Sequence, residues 1–500
     1  MGNVKKVRNN LLMGISSQLL TALLAIVVPR FILVSYGSEV NGLISSVTQI
    51  YTYIALLEAG VGAATIQALY RTITDKSSTN QILSATNRYY HRTGIMYLFA
   101  IAVFSVVYPL VIRTEIPWHT IVLVILFNGL GSVINYFFQG KYFLLLQAEG
   151  KNYVQTTLQM LTNVFKNLAT ILLISFGFDV VFVQMIAMLV SLIQMIYISW
   201  YIKRNYQWID LTVKPDYQSI SQSKNVLVHQ ISLLIFSNTD IVVLSIFCGL
   251  KTSSVYSLYS MLLSLISKTL SVITSSLVFT LGHSFHQDKE RFIRLYDVYE
   301  LYYITLSFSL YAVANYFILP FLKIYTSGIT DINYVDRYLP LMFISVSLLA
   351  CSRNASGQAI NIAGHFKLTQ YRSIAESVIN IVVSLICVNF LGIYGVLIGT
   401  ISALLYRAND MVLYAAKHIL KRSPLITYKR WGINLLLFVA VLFLNRFVVL
   451  NIDSYLTLVL YCIPYTICVL ILFFGVSSLA DKKTAGYALD YIKLRLKKGR

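Results

Sequence analysis

Nine ionisable side chains lie inside long apolar segments of the sequence, where they could bind a charged ligand. A charge in the hydrocarbon core of a bilayer costs at least ~2.5–3.5 kcal/mol, so each needs a partner, an aqueous cavity or a function. Lysine and arginine bind phosphate oxygens through charge-assisted hydrogen bonds, so several deep cations favour a cavity that attracts anions. The nine residues are Arg30, Glu58, Lys166, Asp240, Lys268, Arg353, Glu376, Arg407 and Asp410.

The depth of each charge within its segment separates these candidates. Lys166 and Lys268 lie near the middle of their segments, too deep to reach an interface, so a water-filled cavity is their expected environment. The same reasoning applies to Asp240 and Arg353. Arg30 lies roughly 7.5 Å from the outer end of the first segment, where snorkelling explains it as well as a functional role does.

The remaining charges have local explanations of different strength. Glu58 lies in L-L-E-A-G-V-G at residues 56–62, where two glycines permit a broken helix or close approach, and we expect a functional role. Arg407 and Asp410 are three residues apart and can simply neutralise each other. Glu376 lies at the predicted start of a helix and is expected at an interface.

The apolar segments that position these residues recur along the whole chain. The sequence is 57% hydrophobic and 12% charged, with a mean hydropathy of +0.69, whereas soluble domains are about a quarter charged. A hydrocarbon core ~30 Å thick requires roughly 20 apolar residues per helix, and a lone strand in lipid would leave backbone groups unpaired. The sequence therefore predicts an all-α polytopic membrane protein with fourteen transmembrane helices, near residues 11–35, 42–66, 94–112, 119–139, 154–176, 179–201, 225–248, 253–281, 301–323, 338–361, 374–391, 393–416, 431–449 and 455–475.

The distribution of basic residues gives the orientation. Of the 40 Lys and Arg, 30 lie in the N-terminus, the C-terminal tail and alternate connections, and only 5 lie in the other connections. Cytoplasmic loops carry the excess of basic residues in membrane proteins, so both termini are predicted to be cytoplasmic.

A faint internal repeat divides the chain. Gln18 and Gln230 are 212 residues apart, as are Gly37 and Gly249, and each pair belongs to the first helix of a six-helix half. An even number of helices per half gives a parallel repeat, an arrangement that transporters use around a central cavity. The predicted organisation is a lobe at 1–210, a second lobe at 211–425, two additional helices at 426–480 and a basic cytoplasmic tail at 481–500.

Several other classes of protein fit the sequence poorly. The net charge of +20 is explained by loop charges that fix orientation, so no nucleic-acid partner is expected. The five cysteines form no C-x-x-C and lie in apolar segments, where they are expected to be small buried hydrophobes. The N-terminal apolar run is too long for a signal peptide and is expected to remain as a helix. A membrane polysaccharide polymerase would need a large outer loop, and the predicted outer loops are short.

Five stretches of the chain are similar to one known family. P-R-F-I-L-V-S-Y-G at 29–37, followed by L-L-E-A-G-V-G at 56–62, resembles the first helix pair of bacterial polysaccharide repeat-unit flippases of the multidrug/oligosaccharidyl-lipid/polysaccharide exporter superfamily. N-T-D-I-V-V-L-S-I-F-C-G-L-K-T-S-S-V-Y-S-L-Y at 238–259 resembles the start of that family's second lobe. I-A-G-H-F-K at 362–367 and L-G-I-Y-G-V-L-I-G-T-I-S at 391–402 are similar to its helix 10–12 region. Glu58 departs from the Asp that is more usual in this motif, which keeps the charge and changes its reach.

This resemblance implies a function for the deep charges. The implied substrate is an undecaprenyl-pyrophosphate-linked oligosaccharide, flipped by alternating access across the bacterial cytoplasmic membrane for capsule, O-antigen or a similar polymer. Partners would be membrane lipid and other polysaccharide-assembly proteins; no cofactor or metal is expected, and the coupling ion stays open. A cation-coupled multidrug exporter and a peptidoglycan-precursor flippase of the same superfamily remain alternatives. The candidate substrate-binding residues are Arg30, Glu58, Lys166, Asp240, Lys268, Arg353 and Arg407.

Overall fold

The computed structural model describes residues 2–58, 60–220, 238–448 and 450–498, and all regular structure in these ranges is helical. Twelve helices within them are long and apolar enough to cross a membrane. The predicted all-α polytopic fold class is therefore confirmed. The chain divides into two compact units, Met1–Ser257 and Leu258–Arg500. The lobe boundaries proposed from the sequence stay a prediction.

The first unit contains eight helices and the beginning of a ninth, counted over its described residues. They are α1 (Gly2–Ile54), α2 (Val61–Thr72), α3 (Lys76–Val111), α4 (Trp118–Ile134), α5 (Gly140–Ala148), α6 (Asn152–Ser175), α7 (Val180–Asn205), α8 (Asn238–Phe247) and α9 (Leu250–Gln287). A 3-10 turn at Ala55–Glu58 follows α1, and a π-helical segment at Asn135–Gln139 joins α4 to α5.

The second unit contains the rest of α9 and seven further helices. They are α10 (Lys289–Tyr325), α11 (Leu339–Ile362), α12 (Phe366–Leu391), α13 (Ile393–Tyr414), α14 (Leu425–Leu444), α15 (Tyr455–Ala480) and α16 (Lys482–Lys498). A π-helical segment at Ala415–Leu420 extends α13. Asp288 caps the N-terminus of α10 through its side chain, and Ser454 forms a capping box at the start of α15, because these side chains satisfy backbone N–H groups that the first turn leaves open.

Two glycines that are 212 residues apart break the chain in the same way. Gly37 interrupts α1 with φ 82°, and Gly249 separates α8 from α9 with φ 86°. Only glycine adopts this backbone region without strain. The break at Gly37 lies between the predicted spans at 11–35 and 42–66, and the second of these is itself interrupted after Ile54 by a 3-10 turn. The matching geometry at the two glycines supports the repeat inferred from the sequence. The predicted span at 225–248 lies largely outside the described residues, and so does Gln230 of the other repeat pair.

The segment after α7 is fastened along α3 of the same unit. The Ser84 hydroxyl donates to the carbonyls of Leu211 and Val213 at 3.0 and 2.8 Å. The Asn80 amide donates to the Trp208 carbonyl at 3.1 Å. These contacts hold the segment after α7 against the N-terminal part of α3, because side chains of α3 donate hydrogen bonds to the backbone carbonyls of the segment.

A buried ionic cluster joins α10 to the C-terminal helices of the second unit. Arg430 on α14 lies 2.6 Å from Glu300 and 2.8 Å from Asp481. Arg422 pairs with the same Glu300 at 2.5 Å and with Asp297. Burial lowers the pKa of the Arg422 guanidinium to about 10, so it remains charged at neutral pH. The cluster fixes α14 and the α15–α16 junction to α10.

Candidate functional site

An open polar cavity of about 530 Å³ lies within the first unit. Six elements contribute to it: α1, the 3-10 turn after α1, α3, the α4–π segment, α6 and α7. Every polar side chain on its wall is an amide, an aliphatic hydroxyl or a phenol, so the described lining carries no ionised group at neutral pH. The polar lining residues are Thr48, Tyr51, Thr52, Tyr97, Ser132, Asn135, Tyr136, Gln139, Gln159, Asn163, Ser191 and Gln194.

The π-helical segment aims several of these groups inward. A π turn inserts an extra residue into a helix, and such insertions are frequent at functional sites. Asn135, Tyr136 and Gln139 of this segment all line the cavity. The next residue, Gly140, packs on the Tyr90 ring, and a Cβ there would lie 2.5 Å from a ring carbon. The close approach therefore requires glycine.

A row of tyrosine rings forms one wall of the cavity. The rings of Tyr51 and Tyr97 are stacked with their centroids 6.2 Å apart, and Tyr97 lies 5.2 Å from Tyr136. The Tyr51 hydroxyl donates to the carbonyl of Ile125, which fixes the ring. All three rings are buried, so the cavity offers a ligand mainly the amides and aliphatic hydroxyl groups of its wall, which can donate and accept hydrogen bonds.

The carboxylate of Glu58 adjoins this cavity behind the tyrosine row. The Tyr90 hydroxyl donates to Glu58 Oε1 at 2.5 Å, and the cavity-lining Tyr136 is a further hydrogen-bonding neighbour of the carboxylate. Glu58 ends the 3-10 turn, and Gly60 follows it with φ 83°. The broken helix anticipated from the two glycines is therefore present at the predicted position.

Lys166 lies on the same helix as two cavity-lining amides. It is half-buried on α6, one turn from Asn163. The structure gives it no ion pair within the described part of the chain. Lys166 itself is not among the lining residues of the cavity, so its expected water-filled environment stays a prediction.

Arg30 and Asp240 also lie in the first unit. Asp240 on α8 is buried, and its Oδ2 accepts a hydrogen bond from the Tyr256 hydroxyl at 2.6 Å. Arg30 follows Pro29 on α1 and is half-buried. The 212-residue repeat places Arg30 and Asp240 within a turn of the same depth, and an ion pair between them that acts as a gate stays a prediction.

Arg353 and Arg407 are brought together in the second unit by an acid. Arg353 lies 2.6 Å from Glu376, and Arg407 lies 3.5 Å from its other carboxylate oxygen. Arg407 also pairs with Asp410 at 2.8 Å, which confirms the neutralisation expected from their spacing. Lys268 on α9, by contrast, is exposed.

Two sequence-based placements are wrong. Glu376 was expected at an interface, but α12 begins eight residues earlier than predicted, so Glu376 lies inside the helix and is 2% exposed. Lys141 falls in the predicted connection between the spans at 119–139 and 154–176, but the π segment continues the helix to Ala148. Lys141 is consequently buried, and its ammonium donates to Asn87 Oδ1 at 2.6 Å.

The cavity itself was missed by reasoning from charge alone. The sequence feature that indicates the cavity is a set of amide side chains inside apolar segments. Placing an amide in a membrane costs less free energy than placing a charge there, so an amide is a weaker sign of a functional site. Asn135, Gln139, Asn163 and Gln194 are of this kind.

Comparisons with known proteins identify the fold. No protein-family model matches the sequence, and no curated protein matches it significantly. The structure of the lipid II flippase MurJ in an inward closed conformation is similar, with a TM-score of 0.69 and 12% identity over 95% of this chain and 99% of that one. An inward-facing multidrug resistance MATE family transporter of the MOP superfamily has a TM-score of 0.65 and 16% identity, over 80% and 95% of the two chains.

A third structure extends the same comparison. A variant of the Vibrio cholerae MATE transporter VcmN has a TM-score of 0.53 and 15% identity, over 85% of this chain and 99% of that one. Together with the twelve candidate spans, these similarities identify a multi-pass membrane protein. The chain has the fold shared by MATE transporters and MurJ.

Proposed function

We propose that the protein is a transporter that flips undecaprenyl-pyrophosphate-linked oligosaccharide repeat units from the inner to the outer leaflet of the bacterial cytoplasmic membrane by alternating access. Both termini would lie in the cytoplasm. The product would supply cell-surface polysaccharide assembly, with the proteins of that assembly as possible partners. The fold is compatible with this activity, because relatives of the same fold include a lipid II flippase.

The neutral polar cavity of the first unit is the observation that carries the proposal. A sugar presents many hydroxyl groups, each of which is both a donor and an acceptor. Amides such as Gln159 and Gln194 offer both functions to one ligand, and the Thr52 hydroxyl adds a further group of the same kind. This combination suits a carbohydrate better than a lipophilic cation.

The alternative transporters make different demands on the cavity. A cation-coupled multidrug exporter is expected to place ionised acids against its ligand. The described lining of this cavity contains no acid, and the adjoining Glu58 is held by Tyr90 behind the cavity wall. A peptidoglycan-precursor flippase would also carry a sugar on a polyprenyl pyrophosphate, so it remains the second candidate. The two candidate functions differ in the sugar that is carried, and both use a polyprenyl pyrophosphate as the carrier.

Transport by the purified protein tests the proposal. The full chain would be reconstituted into liposomes with a fluorescent, short-chain polyprenyl-pyrophosphate oligosaccharide, and flipping would be followed by its accessibility to an impermeant quencher. Protein-dependent flipping of this lipid without transport of a cationic dye is expected. Transport of the dye alone would contradict the proposal, and preference for a lipid II analogue would support the second candidate.

A matched pair of variants on α6 tests the cavity. Asn163→Ala removes an amide from the wall, whereas Asn167→Ala removes an amide that bonds its own helix at the Asn163 carbonyl. We expect the first to reduce flipping roughly tenfold, because each lost hydrogen bond to a ligand contributes about 1 kcal/mol and leaves a ligand group unpaired. Asn167→Ala should flip at nearly the original rate. Equal rates in both variants would exclude the cavity as the sugar site.

A further inference from the structure

An apolar groove of about 630 Å³ runs between α6 and α7 of the first unit. Its walls are aliphatic and aromatic, with Leu158, Leu161, Phe165 and Ala169 on α6 and Ile193 on α7. Ligand pockets of roughly 300–1,000 Å³ enclose most of a ligand of a few hundred daltons. The groove is therefore large enough for a few isoprene units.

The groove is continuous with the polar cavity. Gln194 on α7 lines both of them. On α6, Gln159 and Asn163 face the cavity while Thr162 and Phe165 face the groove, so the helix presents a polar stripe beside an apolar one. A ligand that occupied both surfaces would have a polar part joined directly to an apolar part.

Lys166 stands at the border between the two stripes. In an ideal helix it lies about 20° from Gln159 on the cavity side and about 40° from Thr162 on the groove side. It is half-buried, and it has no ion pair within the described residues. Lys166 is not among the residues that line the cavity or the groove, and its position on α6 places a positive charge between the polar and the apolar stripe.

We infer that the groove binds the first isoprene units of a polyprenyl pyrophosphate, that Lys166 pairs with the pyrophosphate, and that the attached sugar enters the polar cavity. The inference rests on the proposed function and assigns the carrier lipid its own site. Around the circumference of α6, the apolar wall, the cation and the polar cavity follow one another in the order in which prenyl chain, pyrophosphate and sugar follow one another in the substrate.

The depth of Lys166 distinguishes this occupant from a bilayer phospholipid. Lys166 is fourteen residues from the start of α6 at Asn152, which corresponds to roughly 21 Å along the axis. The headgroup of a bilayer phospholipid stays at the membrane surface. Only a lipid whose polar group is drawn into the protein would bring its phosphate to this depth.

Binding of a sugar-free probe tests the groove separately from transport. The full chain in phosphatidylcholine nanodiscs would be labelled with farnesyl pyrophosphate that carries a diazirine at its apolar end, and the labelled peptides would be identified by mass spectrometry. We expect labels on α6 and α7. Labels confined to other helices, or labelling that an excess of phosphatidylglycerol abolishes, would overturn the inference.

Two substitutions on adjacent residues of α6 separate blocking from general damage. Ala169→Trp fills the groove, whereas Leu168→Trp adds the same ring at an exposed position outside it. We expect Ala169→Trp to weaken probe binding at least about tenfold and Leu168→Trp to change it less than about twofold. Equal affinities in the two variants would exclude the groove.

Substitutions that remove or keep the positive charge test the role of Lys166. Lys166→Gln should weaken binding of the probe roughly tenfold, whereas Lys166→Arg should retain it, because a charge-assisted bond to phosphate contributes about 1.5–3 kcal/mol. Binding of the matching farnesol probe should not respond to either change. If the wild-type protein flips the lipid-linked oligosaccharide but binding of the farnesyl probe responds to neither the groove substitution nor the lysine substitution, the proposed lipid site is wrong and the proposed function stands. If the wild-type protein neither flips the oligosaccharide lipid nor binds the probe, the proposed site and the proposed function are both wrong.

Discussion

Arg353 and Arg407 approach one carboxylate from its two oxygens: Arg353 Nη1 lies 2.6 Å from Glu376 Oε1, and Arg407 Nε lies 3.5 Å from Glu376 Oε2. Asp410 adds a second acid, which also pairs with Arg372 at 2.6 Å. Three guanidinium groups on α11, α12 and α13 are thus held around two carboxylates. Both arginines, which the sequence analysis predicted to bind substrate, therefore form ion pairs that link helices of the second unit.

Neutralising the shared acid should destabilise the second unit. Glu376→Gln leaves Arg353 and the buried Arg407 without their common partner, and removing one member of a buried pair costs about 3–5 kcal/mol. We expect loss of monodisperse protein and a lower midpoint in thermal unfolding followed by size-exclusion fluorescence. Lys268→Gln, which changes an exposed residue, is the control. A Glu376→Gln variant as stable as that control would contradict the structural role.

The hydrogen bond from Tyr90 to Glu58 should be required for activity. Tyr90→Phe removes the hydroxyl that donates to Glu58 at 2.5 Å. The carboxylate then loses a buried partner, which costs about 1–3 kcal/mol, and it is freed toward the cavity. We expect reduced flipping of the lipid-linked oligosaccharide in liposomes, with Tyr89→Phe as the neighbouring control. Full activity in Tyr90→Phe would show that the cavity does not depend on how Glu58 is held.

The sequence predicted the helical fold more completely than the site, and the reasons are physical. Apolar length decides whether a helix crosses a membrane, so most of the spans could be predicted without knowledge of what they pack against. The repeat singles out Gly37, but the break in the backbone there is visible only in the structure. The continuation of a helix through a π segment carries no such signal, so Lys141 falls in a predicted connection. Whether Arg353 faces water or Glu376 depends on the packing of three helices, which no local pattern encodes.

The ionic cluster on α14 should hold the C-terminal helices of the second unit in place. Arg430→Gln breaks contacts with Glu300 and Asp481 at 2.6 and 2.8 Å. We expect faster limited proteolysis between α14 and α16 and a lower yield of folded protein, because Glu300 is left buried with a weakened partner set. Lys429→Gln, one residue away, keeps these pairs and serves as the control. Equal protease resistance of the two variants would contradict an anchoring role.

The predicted orientation places Ser219 and Glu290 in the cytoplasm and Thr330 outside. All three are exposed, so single cysteines there should react readily once the native cysteines are replaced. An impermeant maleimide added to intact cells should label only Thr330→Cys, and the other two should react after permeabilisation. Labelling of Ser219→Cys or Glu290→Cys in intact cells would refute the orientation.

A gate between Arg30 and Asp240 is the boldest expectation from the sequence. At the 212-residue offset Arg30 corresponds to Val242, so the two charges lie within a turn of the same depth on repeat-related helices. A partly hydrated ion pair contributes about 1 kcal/mol or less, which is small enough for a switch that must open in each cycle. The competing explanation is local: Asp240 accepts a 2.6 Å hydrogen bond from Tyr256 and would need no arginine.

A charge exchange separates the gate from the local explanation. Arg30→Asp and Asp240→Arg should each abolish most flipping, and the double variant should recover part of it, because the opposite charges face each other again. Tyr256→Phe is the companion measurement: under the gate it removes one hydrogen bond and leaves the pair working, so flipping falls only a few fold. If instead the double variant is no better than the worse single one, while Tyr256→Phe is as inactive as Asp240→Arg, the role of Asp240 is to hold Tyr256 and the gate does not exist.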